Sequence, residues 1–285
     1  MVQPAISRRA FLAASGGLAI AATVWPEIAG AHEEHKLGKG LGALVLSSDL
    51  YASPEPQRFV FGLGSKRGYV SGPPVSIGFV PPETTGKVDV TLDPTRLYKA
   101  GLPKGRGVYV AEPVLDIPGV WPGVALVKDR KIDLAIEVKE APDAPQPGTA
   151  ASRAPSPTVA DTLGVKPICT RQPRCPLHTV SLSEAIGAGT PVAVLFATPA
   201  RCQSQYCGPV LDTLLSVRDG HEDVTFVHVE IYLNNKTVEL APTLQAWGLL
   251  SEPWLFTVDE TGTIVGAIDG AFGRGEMVQL LDALV

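Results

Sequence analysis

Basic residues are in deficit in this sequence: 24 Lys and Arg stand against 29 Asp and Glu, a formal net charge of −5. That balance argues against nucleic acid as the main partner. Cysteine is missing from the first half, and all four cysteines lie in the C-terminal half. No cysteine follows the N-terminal apolar stretch, which argues against a lipid-anchored form. Beyond residue 31 no run is long and apolar enough to span a bilayer. What is present describes a globular chain: 45% hydrophobic and 19% charged residues provide for sizeable cores. A length of 285 residues admits two ordinary domains, and 26 prolines and 29 glycines imply many turns and at least one linker.

Ser7-Arg8-Arg9-Ala10-Phe11-Leu12 is a twin-arginine pattern, followed by an apolar stretch over 11–25 and then Ala29-Gly30-Ala31. This is the order of basic region, hydrophobic region and small-residue cleavage site in an export signal, so 1–31 is expected to be a twin-arginine signal. The mature protein is then expected outside the cytoplasm (periplasmic, cell-envelope or secreted), where disulfides persist. Cleavage after Ala31 would leave His32 and His35 in an N-terminal tail, read here as solvated.

From 41 to 140 the chain reads as all-β. Candidate strands are 58–63, 75–80, 88–92, 107–114 and 132–138, short runs separated by Gly/Pro clusters, as in a β-sandwich. Ile117-Pro118-Gly119-Val120-Trp121 reads as a turn that delivers a tryptophan into the sandwich core. It resembles the Pro-Gly-x-Trp corner of immunoglobulin-like modules in exported proteins. The carboxylates Asp89, Asp93, Asp116, Asp129 and Asp133 are scattered and read as solvated loop ends.

Residues 141–158 are rich in Pro, Ala and Ser, a composition of semi-rigid linkers, and mark the domain boundary. After it, over 159–285, strands and helices alternate. A strand and helix are expected over 180–186, a buried strand over 192–197, a second over 224–232 and helical spacing over 238–247. Asp259-Glu260-Thr261-Gly262 between 255–258 and 263–268 is a hairpin signal, and 276–285 is an amphipathic helix. The order is parallel β-α-β followed by β-β-α.

The chemistry gathers where the strand at 192–197 empties into a loop bearing Cys202 and Cys207. Gly208-Pro209 opens a helix there, since proline in a first turn sacrifices no hydrogen bond. Cys207 therefore sits at a helix N-terminus, where unpaired N–H groups and the dipole favour a thiolate. Two thiols so placed are the parts needed for thiol–disulfide exchange.

Over its last 120 or so residues the chain resembles the thioredoxin-like superfamily. The strand–cysteine loop–helix carries that resemblance, with Ser251-Glu252-Pro253-Trp254 before a strand and the closing hairpin and helix. Pro253 matches the position of the family's cis-proline, which implies a peptide-docking edge at Glu252 and Pro253, with Trp254 beside it. The fold class expected is thus a thioredoxin-like α/β domain preceded by an all-β immunoglobulin-like sandwich, an arrangement similar to that of some exported proteins. The activity implied is disulfide exchange with a partner protein, with Cys202, Cys207 and Pro253 as catalytic residues. No cofactor and no metal is assigned.

The departure from the family is spacing, since Cys202 and Cys207 are separated by four residues where thioredoxins have two. Matching Phe196 to the family's strand end puts Cys202 near the nucleophile position; matching Cys207-Gly208-Pro209 to Cys-Gly-Pro makes Cys207 the nucleophile. The first alignment needs less insertion and is preferred. Cys169 and Cys175 form a second pair, near His178, either a small disulfide loop or a redox relay to the first pair. Four cysteines allow three pairings; local pairing is expected. Three other readings use the same residues. All four cysteines could staple a non-catalytic binding module. Thr198-Pro199-Ala200-Arg201-Cys202 is similar to a peroxiredoxin motif with the threonine one residue too far away. A thiolate/imidazole site for copper or zinc could use Cys169, Cys175, His178, Cys202 and Cys207, as in a copper-delivery protein, with His228 read as a core or edge histidine.

Overall fold

The computed structural model describes residues 40–284 apart from 66, 67, 87, 203 and 204. The signal expected over 1–31, and His32 and His35, lie outside the described residues. The chain divides into two compact units: one holds Asp143–Val285 with Ala100–Leu102, the other the remaining described residues up to Pro142.

The N-terminal unit is built from two antiparallel sheets. One orders β1 (Leu41–Val45), β2 (Phe59–Ser65), β7 (Val108–Ala111) and β6 (Arg96–Tyr98), with β3 (Gly68–Val70) also on β2. The other orders β5 (Asp93–Pro94), β4 (Val75–Phe79), β8 (Gly119–Val127) and β9 (Arg130–Val138). Both sheets feed one core, in which Phe59, Phe61 and Tyr109 meet Ile77, Trp121 and Ile136. Trp121 is buried there, and its indole N–H donates to the Ile117 carbonyl at 3.0 Å.

Two sequence expectations change in this unit. The run 88–92 forms no strand; the pairing falls to the short β5 and β6 that follow. Conversely, 119–127 is a nine-residue central strand despite two Pro-Gly pairs in and before it. Pro122 is tolerated because it stands at the end of the ladder to β4, one step beyond Phe79 opposite Gly123: its carbonyl accepts the Val80 N–H at 2.8 Å, and only the return bond is lost.

In the C-terminal unit a four-stranded sheet runs β11 (Thr225–Val229), β10 (Val192–Phe196), β12 (Trp254–Val258), β13 (Ile264–Asp269). β10 pairs parallel with β11 and antiparallel with β12, and β12 pairs antiparallel with β13. Among the described residues four α-helices accompany it: α1 (Leu182–Ala185), α2 (Cys207–Val217), α3 (Pro242–Ala246) and α4 (Arg274–Asp282). This is the connectivity that the thioredoxin-like resemblance implies. Every residue of β10 is buried, as its unbroken apolar composition requires of a central strand covered on both faces. Phe196 at its end packs on Trp247 and Phe256, with ring centroids 5.1 and 6.1 Å away.

The segment expected as a linker is not a free tether over most of its length. From Asp143 onward it belongs to the C-terminal unit, with Ala144, Ala151 and Ser156 buried. Its backbone bonds to the hairpin, Gly148 N–H to the Ile264 carbonyl at 2.8 Å and Ala151 N–H to the Gly262 carbonyl at 2.9 Å. Small residues and prolines lose little side-chain entropy on ordering, so a few such bonds suffice to hold it. No strand forms over 180–186; only the helix does.

Candidate active site

β10 ends at Phe196, and the loop that follows returns into α2 at Cys207. Cys202 and Cys207 are joined by a disulfide with Cα atoms 5.9 Å apart. Cys207 is fully buried, whereas Cys202 retains 9% of its residue surface and is the more exposed of the two. The Cys207 N–H, first of the helix, points at the Cys202 sulfur at 3.4 Å. The helix N-terminus thus serves Cys202, rather than the Cys207 side chain as the sequence spacing suggests. A thiolate at Cys202 gains from that N–H and from the helix dipole.

The Cys207 sulfur faces Glu252, whose Oε2 lies 3.4 Å from it and accepts the Thr198 N–H at 2.6 Å. Burial pushes the Glu252 carboxyl up to about 8; the charge of Glu230 adds to this, while Thr198 and Arg201 oppose it. Near neutral pH the group can therefore either give or take a proton. The Glu252–Pro253 peptide is cis, as the resemblance implies, and immediately precedes β12 beside the disulfide loop.

Trp254, which the resemblance puts beside the docking edge, is only 5% exposed, stacks on Phe256 at 5.2 Å and donates its indole N–H to Ser251. As the first residue of β12 it packs in the core of the unit.

Cys169 and Cys175 also depart from expectation. They are not joined; both are free and buried, with sulfurs 3.8 Å apart. His178 and His228 close on the same point, the Cys175 sulfur lying 3.3 Å from His178 Nε2 and 3.5 Å from His228 Nδ1. Hydrogen bonding from Cys175 and the imidazoles holds the Cys169 thiol well below its ordinary value, against the effect of burial. Next to this quartet, Glu230 accepts the Thr170 N–H and hydroxyl, and the Ala200 N–H bonds to the same hydroxyl at 3.1 Å. The quartet and the disulfide loop are thereby tied together.

Sequence reasoning missed Glu230 and read His228 as a core residue. The available signal was two ionisable residues, His228 and Glu230, alternating within an otherwise apolar run. Such groups are buried only with partners.

No known protein-family profile matches the chain, and no curated protein matches it. Among solved structures it is similar to a Chlorobium tepidum protein described as thiol:disulfide interchange protein DsbE, with 16% identity over 49% of this chain and 97% of that one, at a TM-score of 0.35. It is also similar to a second Chlorobium tepidum structure, a thiol:disulfide interchange protein of the thioredoxin family, again with 16% identity over 49% and 97%, at 0.34. A Streptococcus pneumoniae exposed lipoprotein thioredoxin, Etrx1, matches with 16% identity over 37% and 91%, at 0.29. At such scores these likenesses decide neither activity nor partner, and the fold reading rests on the strand order of the sheet.

Proposed function

We propose that the protein is an exported thiol–disulfide oxidoreductase that exchanges disulfides with a partner protein through Cys202 and Cys207. The observation that carries this reading is the disulfide itself: one cysteine is the more exposed, its sulfur faced by a helix N–H, and the other is buried against the Glu252 carboxyl. In the reducing direction the Cys202 thiolate attacks a partner disulfide, forming a mixed disulfide and releasing one partner thiolate. Glu252 takes the Cys207 proton. Cys207 then attacks the Cys202 sulfur, closes the loop disulfide and releases the second partner thiolate. Two electrons pass to the partner, and the two thiolates leaving it take up protons from Glu252 and solvent. The oxidising direction is the same sequence reversed. The backbone of Glu252, fixed by the cis bond to Pro253, offers the edge on which the partner strand lies, and the N-terminal β unit, read as immunoglobulin-like, recruits or positions that partner.

The engagements of Arg201 and Thr198 favour exchange over the peroxidase reading. Arg201 donates to the Asn234 and Thr237 carbonyls at 2.8 and 2.7 Å with its guanidinium over the Tyr232 ring, and the Thr198 hydroxyl accepts the Ile231 N–H.

The test is trapping. Cys207→Ser, reduced and exposed to an extracytoplasmic extract, should accumulate mixed disulfides through Cys202, and Cys202→Ser should accumulate none. Equal silence of both variants, with the Cys202–Cys207 bond no more reducible than a structural disulfide, would instead favour a stapled binding module.

A further inference from the structure

Cys169, Cys175, His178 and His228 are each at most 3% exposed, and one donor atom from each lies within 4.8 Å of all the others. The measured edges of the figure they form are 3.8 Å between the sulfurs and 3.3 Å between His228 Nδ1 and His178 Nε2. The sulfur–nitrogen edges are 3.8 Å for Cys169 to His228, 3.3 Å for Cys175 to His178 and 3.5 Å for Cys175 to His228. A tetrahedral zinc ion with bonds of about 2.3 Å to sulfur and about 2.05 Å to nitrogen requires edges of about 3.8 Å (S–S), about 3.6 Å (S–N) and about 3.3 Å (N–N). These five edges agree with the tetrahedral values within a few tenths of an ångström, and the sixth, Cys169 to His178, lies within 4.8 Å.

Protonation points the same way. His228 Nε2 lies 2.9 Å from the Ala197 carbonyl, which can only accept, so that nitrogen carries the hydrogen. Nδ1 then presents a lone pair to the middle of the quartet. Such a bond to a backbone carbonyl is the usual means of fixing the tautomer and aim of a metal-bound imidazole. A Cys169–Cys175 disulfide would leave the two buried imidazoles facing each other 3.3 Å apart, with no ion to share their lone pairs.

We infer that Cys169, Cys175, His178 and His228 form a closed tetrahedral zinc site. Thiolate and imidazole ligands in this ratio suit zinc rather than calcium or magnesium. With all four positions filled by protein the site is structural, without an open position for substrate. Binding releases the remaining thiol protons to solvent, and the divalent charge offsets two thiolates that the pocket could not otherwise hold. The ion would fasten the segment carrying Cys169 to His178 onto β11. Through Ala197, Thr170 and Ala200 it would also brace the base of the Cys202 loop. The site stands independently of the exchange activity proposed above.

The experiment uses the full mature chain, reduced with a phosphine and exposed to zinc or cobalt(II). Elemental analysis after desalting should find a single equivalent of zinc. Cobalt should give the intense visible bands of a tetrahedral ion with sulfur-to-cobalt charge transfer. The double variant Cys202→Ser/Cys207→Ser should retain both signals, while Cys175→Ser and His228→Gln should lose them. Because a ligand variant can fail to fold, the unaltered chain supplies a second readout. Zinc should protect Cys169 and Cys175 from alkylation in the native protein, and a chelator should restore their reaction. No retained zinc, uptake of copper in its place, loss of the metal in the Cys202/Cys207 double variant, or a Cys169–Cys175 disulfide in the zinc-exposed reduced chain would each overturn the assignment.

Discussion

The Cys207 sulfur and the Glu252 carboxylate stand 3.4 Å apart, and the same carboxylate oxygen accepts the Thr198 N–H. Glu230, Arg201 and Tyr232 are the other ionisable groups that act on this carboxyl. With its pKa raised to about 8, Glu252 becomes a proton acceptor only as pH rises through that value. Reduction of a partner disulfide by the loop should therefore accelerate through about pH 8. In Glu252→Gln the step at about pH 8 should be slower by about 10²-fold, the scale of a single acid–base group, and the part of the rise that Glu252 supplies should disappear. Stopped-flow rates against pH check this; an unchanged profile in the variant removes Glu252 from the mechanism.

The same shift has a consequence for stability. The folded carboxyl binds its proton more tightly than the ordinary value of 4.5 would have it. Its contribution is full below about pH 4.5 and is lost as pH rises through about 8. Thermal midpoints of the oxidised chain should fall more across that window in the parent than in Glu252→Gln, as calorimetry at stepped pH would show. Equal slopes would mean that the carboxyl is not desolvated in the folded state.

Order of attack follows from exposure. Cys202 is 9% exposed and Cys207 is fully buried. A limiting alkylating reagent should label Cys202 first in the reduced chain, and peptide mass mapping reads the ratio. Preferential labelling of Cys207 would reverse the roles assigned to the two sulfurs.

Packing and docking separate at Trp254 and Phe196. Phe196→Ala removes a ring lodged between Trp247 and Phe256 and should cost about 3–5 kcal/mol in denaturant unfolding of the C-terminal unit. Trp254→Phe keeps most of the stack on Phe256 but loses the indole bond to Ser251, for about 1 kcal/mol. If Trp254 is a core residue, partner exchange should proceed with unchanged KM; a raised KM would return it to the docking edge.

In the N-terminal unit Gly78 has no room for a side chain, since a Cβ there would stand 2.1 Å from the Thr91 carbonyl oxygen. The obstacle is backbone and cannot swing aside. Gly78→Ala should therefore destabilise that unit by about 1–3 kcal/mol, measurable as a lower unfolding midpoint. An unaffected midpoint would show that the 90–92 segment does not lie against β4.

The amino-acid order alone determined what depends on near neighbours. The apolar run of β10, the hairpin at Asp259–Gly262, the helix opened by Gly208-Pro209 and the position of Pro253 all follow from local pattern. So did the closeness of Cys202 and Cys207, five residues apart in one loop. Where long-range pairing overrode a local signal, as at Pro122 in β8, pattern reading failed. Direction was likewise hidden: spacing put the helix N–H on Cys207, and only the fold of the loop turned it toward Cys202. The quartet was legible in three of its four members. Cys169, Cys175 and His178 are six and three residues apart, but His228 comes from 50 residues further on. Its Nδ1 joins them because β11 lies parallel to β10 and places His228 beside Leu195, within reach of the Ala197 carbonyl. Side-chain convergence of that kind is set by strand register and burial, quantities that exist only once the sheet has formed.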